Sequence, residues 1–175
     1  MARRKSKASF PRKPMDSSPS RWLSIDPAGG KKPTVAVLWQ NGRAVEFIGL
    51  DHSDRYALSR PIVGTELVVL EGGGFVGENA AAALMLERVR ERVETICHYE
   101  QALCVPVSPD QWRMVLGLAP RPRKLAVDAG RRMCRMLAGD GCAPSLPLAQ
   151  KATNDDKRAA LLIGLAALRA WGWNS

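Results

Sequence analysis

A mixed α/β domain is predicted by three observations. Short apolar runs with an Asn-Gly turn between two of them come first, an apolar run without alternation follows, and long helical periodicities occupy the rest of the chain. The first run, WLSID, is read as a strand over Trp22 to Asp26, and TVAVLWQ as a second over Thr34 to Gln40. Asn41-Gly42 is a hairpin signal leading into AVEFIGL, a third strand over Ala44 to Leu50. Together these form an antiparallel meander. The segment DHSDRYALSRPIVG is polar and broken by proline, and reads as a loop with room for one helical turn. Glu66 to Glu71 lacks alternation, as expected of a central strand buried on both faces, and belongs beside the first strand.

After a glycine-rich turn, Asn79 to Glu100 is helical, with Met85, Leu86, Val89, Val93, Ile96 and Cys97 on one stripe. Ala102 to Val107 is a fifth strand. Ser108 caps a helix with Pro109 in its first position, and this helix runs through QWRMVLGL. Pro120 and Pro122 end it, Lys124 to Ala138 forms a basic helix, and a loop rich in glycine and proline leads to a last helix over Asp155 to Trp171. Residues 1–21, rich in Lys, Arg, Ser and Pro without a periodic apolar face, are read as a disordered basic arm, and residues 22–175 as one folded domain.

Composition restricts function. The net charge of +9 is unevenly spread. Residues 1–21 hold seven Lys/Arg against Asp16, residues 22–107 hold eight against eleven acids, and residues 108–175 hold eleven against five. A polyanion would meet the two ends of the chain, while the acids of the first half would gather a counter-cation. The sequence has no run of the ~18 apolar residues that a membrane span needs, and its basic start has no apolar h-region, so a cytoplasmic protein without a membrane partner is expected. Cys97, Cys104, Cys134 and Cys142 show no CxxC pair and read as reduced residues, not as zinc ligands.

Acids punctuate the elements. Asp26 closes the first strand, Glu71 closes the fourth, and Asp155 and Asp156 open the last helix. A carboxylate at the end of an apolar strand costs folding energy unless its charge is needed there, and a divalent cation is a natural recipient. Helix capping is the competing role for Asp155 and Asp156, a turn-forming Asp-Pro for Asp26, and a strand-end ion pair for Glu71.

The order of these elements, with LSIDPAGG, LVVLEGGGFVGENAAAAL, VPVSPDQWRMVLGL and NDDKRAALLIGLAAL in sequence, resembles the ribonuclease H-like fold of RuvC-type Holliday-junction resolvases, in a divergent phage or prophage-like form. The resemblance covers nearly all of residues 22–175. It implies a five-stranded mixed sheet and an endodeoxyribonuclease that nicks four-way DNA junctions symmetrically as a homodimer, acting in bacterial cytoplasm or nucleoid. Two Mg²⁺ or Mn²⁺ ions are implied per site, about 4 Å apart in such chemistry. Asp26, Glu71, Asp155 and Asp156 are the implied metal ligands and catalytic residues. The family pattern has a second helix acid immediately before Ala-Leu. Here that position is Ala159, which brings in the alternative of a protein that binds branched DNA without cutting it.

Phe75 is implied as a base-stacking aromatic. Lys31, Lys32, Arg121, Arg123, Lys124, Arg131, Arg132 and Arg135 are implied phosphate contacts, with Arg131 and Arg135 one helical turn apart. Trp112 is read as a core anchor. Two rivals remain. Residues 72–77, GGGFVG, match a dinucleotide-binding fingerprint, but Glu71 would stand beside the pyrophosphate. The strand-Asp-glycine opening also resembles sugar kinases and actin, which need a much longer chain.

Overall fold

The computed structural model describes residues 9–28, 33–51, 54–72, 80–119, 123–139 and 147–173. Strand β1 (Arg21–Asp26) pairs antiparallel with β2 (Thr34–Gln40), which pairs antiparallel with β3 (Arg43–Leu50). The hairpin turn carries positive φ at both Asn41 (49°) and Gly42 (76°), the backbone that a two-residue loop requires. A short helix α1 (Arg55–Ser59), capped by the Asp54 side chain, occupies the polar loop. Strand β4 (Leu67–Glu71) then runs parallel to β1, and β5 (Leu103–Val107) runs parallel to β4. The sheet order is β3-β2-β1-β4-β5, so β1 and β4 are interior and β5 is an edge whose Pro106 lies opposite Leu70.

The strands sort their side chains by face. Leu23, Ile25, Val68 and Leu70 point toward helix α2 (Ala80–Tyr99), whose Val93, Ile96 and Cys97 are buried with them. Trp22, Val69, Trp39 and Val37 point the other way, toward α3 (Pro109–Val115), α4 (Arg123–Leu137) and α5 (Asp155–Trp171). A 3-10 helix, Pro147–Lys151, precedes α5 and buries Leu148 and Ala149. The apolar stripe predicted on α2 holds from Val89 onward, but Met85 is 42% exposed, because only the C-terminal part of the helix packs into the core beside the sheet.

Helix α5 is locked onto the sheet by a buried polar relay. The Trp39 indole N–H donates to Ser24 Oγ at 2.8 Å, and Ser24 Oγ donates to the carbonyl of Ala160 at 2.7 Å. Gly164 lies over the same indole, where a Cβ would overlap the ring, so glycine is what lets the helix approach this closely. The relay ties α5 to β1 close to its acidic first turn.

Residues 9–20, read from sequence as part of a disordered arm, lie against the body. Phe10 and Met15 pack on the core, Pro19 is buried, and the backbone N–H of Ser20 donates to Glu66 at 2.8 Å. Ring packing supplies the burial that composition alone does not reveal. Among the described residues no helix is long and apolar enough to cross a membrane, and Cys97, Cys104 and Cys134 are free thiols.

Candidate metal and nucleic-acid site

The C-terminal ends of β1 and β4 and the N-terminus of α5 meet at one cleft of about 290 Å³, which holds Asp26, Glu71, Asp155 and Asp156 in its lining. Parallel pairing of β1 with β4 brings their last residues to the same edge of the sheet, and the Ser24–Ala160 bond sets the height of α5 above them. Each acid then finds a different environment.

Asp26 is the most perturbed. Burial pushes its carboxyl well above the ordinary range, the charges of Glu71 and Asp156 push it further, and the Arg113 guanidinium opposes them. The three carboxylates of Asp26, Glu71 and Asp156 are therefore neighbours, contributed by three separate elements. Glu71 Oε2 accepts from the indole N–H of Trp112 at 2.8 Å. Trp112 is 4% exposed and belongs to the core, as read from sequence, but its polar edge faces the cleft and orients Glu71.

Asp155 points elsewhere. It takes a two-pronged contact from Arg131, Nε at 3.0 Å and Nη2 at 2.7 Å, and a further bond from Arg158 at 2.8 Å. Arg131 and Arg158 accordingly hold its carboxyl below the usual range. Neither aspartate caps the helix, because Asn154 does so, its side chain accepting from the N–H of Lys157 at 2.8 Å. Of the two aspartates that sequence left equivalent, Asp156 is the one whose charge reaches Asp26. Ala159 also lines the cleft, presenting a methyl group where the resemblance calls for an acid.

The cations divide similarly. Arg131 is engaged with Asp155 and Asp128, so it does not stand free beside Arg135. Lys124, Arg132 and Arg135 are exposed on α4. Arg90, Arg113 and Arg158 line the cleft and were not singled out from sequence. Arg90 pairs with Glu87 at 2.8 Å, and Arg113 stacks 5.0 Å from the Trp112 ring centroid. Arg113 follows Trp112, but only the fold shows that this tryptophan reaches Glu71 and so brings Arg113 to the cleft. For Arg90 nothing in the helical pattern distinguishes it from the exposed arginines on either side. Lys31, Lys32, Phe75 and Arg121 lie outside the described residues, as does the side chain of Arg123, and the same holds for most of the GGGFVG segment.

The donor set is all oxygen and drawn from three elements, which suits a hard divalent ion. Among the described residues no three acids, histidines or cysteines stand close enough together, as they are oriented here, to enclose one. What the arrangement shows is a concentration of negative charge in a partly desolvated cleft, walled by guanidinium groups.

No family model and no curated protein sequence matches the chain. Solved structures do match. The fowlpox virus Holliday junction resolvase superposes with a TM-score of 0.56 at 13% identity, covering 83% of this chain and 95% of that one. RuvC of T. thermophilus, solved in complex with a Holliday junction substrate, gives a TM-score of 0.54 at 15% identity over 83% and 91% of the two chains. With three antiparallel strands followed by two parallel ones and helices on both faces, the chain has the ribonuclease H-like fold of the Holliday junction resolvases.

Proposed function

We propose that the protein is a metal-dependent, structure-selective endodeoxyribonuclease that resolves four-way or related branched DNA in the cytoplasm. The observation that supports this most is the meeting of Asp26, Glu71 and Asp156 in one cleft on a resolvase fold, with Asp26 driven toward its protonated form by burial and by the charges of the other two. Like charges held this close in a partly desolvated site are costly, and a dication placed among them removes the repulsion. Mg²⁺ or Mn²⁺ bound there would activate water and stabilise the leaving oxygen of a phosphodiester.

Asp26, Glu71 and Asp156 are the residues that would hold the metal. Trp112 donates to Glu71 Oε2 and orients that carboxylate at the cleft. Arg113 supplies positive charge at the cleft wall for a backbone phosphate, and Lys124, Arg132 and Arg135 extend it along α4. Lys31, Lys32, Phe75, Arg121 and Arg123 remain proposed DNA contacts from the resemblance. Two equivalent scissile phosphates in a four-way junction suit a two-fold symmetric homodimer.

A second reading, binding without cutting, is favoured by Ala159. With a methyl group in the cleft at the expected fourth acid, one ligand is missing. The two readings separate on a labelled synthetic junction and its linear duplex, incubated with Mg²⁺ or Mn²⁺ and with EDTA. Paired metal-dependent nicks in the junction alone, lost in Glu71→Gln with junction binding kept, are the expected result. Salt-sensitive junction binding with no nicks under any metal would establish the second reading. Normal cutting by Glu71→Gln would remove Glu71 from the site.

A further inference from the structure

The segment ahead of β1 bonds to the residue next to Trp112. Gln111 uses both ends of its amide. Its Oε1 accepts from the backbone N–H of Ser108 at 2.7 Å, completing the cap of α3, and its Nε2 donates to the carbonyl of Ser9 at 2.6 Å. Two residues further along, the carbonyl of Pro11 accepts from the indole N–H of Trp171 at 3.0 Å, and Phe10 meets that same indole edge-on with centroids 5.4 Å apart. Trp171 is the last residue of α5. Residues 9–11 thus grip two of the helices that line the cleft, α3, which brings Trp112 to it, and α5, which brings Asp156.

Helix α3 has seven residues, too few to hold its own position, so what packs against it decides where it sits. Gln111, which completes its capping box, and the cleft-facing Trp112 are adjacent residues. We propose that residues 9–11 are a strap that fixes α3 against α5 and so holds the Trp112 indole on Glu71, with Phe10 and Gln111 as positioning residues. The strap acts through backbone carbonyls and a ring, not through the cations of the same tail, so its effect is separable from electrostatic attraction to DNA. Its consequence for cutting rests on the nuclease reading, whereas the coupling between strap and indole does not.

Two indole protons report the two ends of this coupling in full-length ¹⁵N-labelled protein. Trp171 reports the strap, and Trp112 reports the cleft. Gln111→Glu keeps a Ser-x-x-Glu capping box and removes only the donor to Ser9. Phe10→Ala removes the ring. In both variants hydrogen exchange of the Trp112 indole is expected to accelerate at least about fivefold, the scale of one net hydrogen bond, while the β1 and β4 amides exchange as in the parent protein. Junction nicking should fall by a similar factor with junction affinity unchanged. Deprotection of the Trp171 indole with the Trp112 indole left as in the parent would overturn the proposal. So would a response of Trp112 to Arg12→Ala plus Lys13→Ala, which should lower junction affinity alone. If the parent protein does not nick, the nuclease reading fails, and the two indoles still decide whether the strap holds α3.

Discussion

Ser24 and Asp26 lie two residues apart on β1, on the same face of the sheet, and both are covered by α5, yet one sits in a closed set of hydrogen bonds and the other among like charges. Ser24 has no exposure, accepts from Trp39 and donates to Ala160. Asp26 has two carboxylates for neighbours and one guanidinium opposing them. A buried polar group with every bond made is a structural fastener. An ionisable group left among like charges lowers stability, and a chain tolerates it where something from outside can balance the charge. One strand therefore carries a fastener and a site, one turn of the pleat apart.

The largest effect should come from Asp156→Asn, which removes one of the three clustered acids. Junction nicking is expected to be lost while junction affinity holds or rises, read by the same gel assay under Mg²⁺ and in binding titrations. Retained nicking would show that Asp26 and Glu71 suffice. Next is Ser24→Ala, which strands a buried indole N–H and loosens the anchor of α5. Urea denaturation should show a loss of about 2 kcal/mol or more, together with weaker nicking because Asp156 is no longer held at its height.

Asp26→Asn should act in the opposite sense on stability. The folded-state pKa of Asp26 is raised, so its contribution is full below the unfolded carboxyl range near pH ~4 and is lost as pH rises through the elevated folded value. In EDTA at neutral pH the variant should therefore melt above the parent protein, with the difference closing in acid. Added Mg²⁺ should narrow the gap by stabilising the parent more. A variant that melts below the parent at neutral pH would mean the charge of Asp26 is balanced within the chain.

The smallest effect is expected for Asp155→Asn. Its carboxyl is lowered by Arg131 and Arg158, so its stabilisation is present at neutral pH and is lost as pH falls through the lowered value. The group is half exposed and screened, so the loss should be slight and should disappear at high salt. Nicking should largely survive. Should Asp155→Asn abolish cutting while Asp156→Asn spares it, the division of roles between the two aspartates would be reversed.

The elements themselves were legible in sequence because each had a local signal: the Asn41-Gly42 turn, the unalternating Glu66 to Glu71 run and the Ser108-Pro109 cap all stand where the structure has a boundary. The resemblance gave the fold. What sequence could not resolve were choices made by three-dimensional neighbours. Asp155 and Asp156 are adjacent in the same helical turn, and it is Arg131 on α4, joined by Arg158, that draws Asp155 away from the other acids. Trp112 was legible as a core residue but not as a donor to Glu71, since nothing local says where the indole edge points. Residues 9–20 looked disordered because their few apolar groups are scattered, and the rings they pack against, Trp171 and Trp173, lie at the opposite end of the chain.

The edge strand β5 bears on how this molecule avoids unwanted company. The N–H of Leu103 points inward to Glu66, so by alternation the N–H groups of residues 104 and 106 point outward. Position 106 is proline and has no such group. A foreign strand docking along this border would find a donor missing in the middle of a five-residue ladder, which is a guard against open-ended sheet growth. Two copies of the chain would accordingly have to join through some surface other than an extension of the sheet at β5.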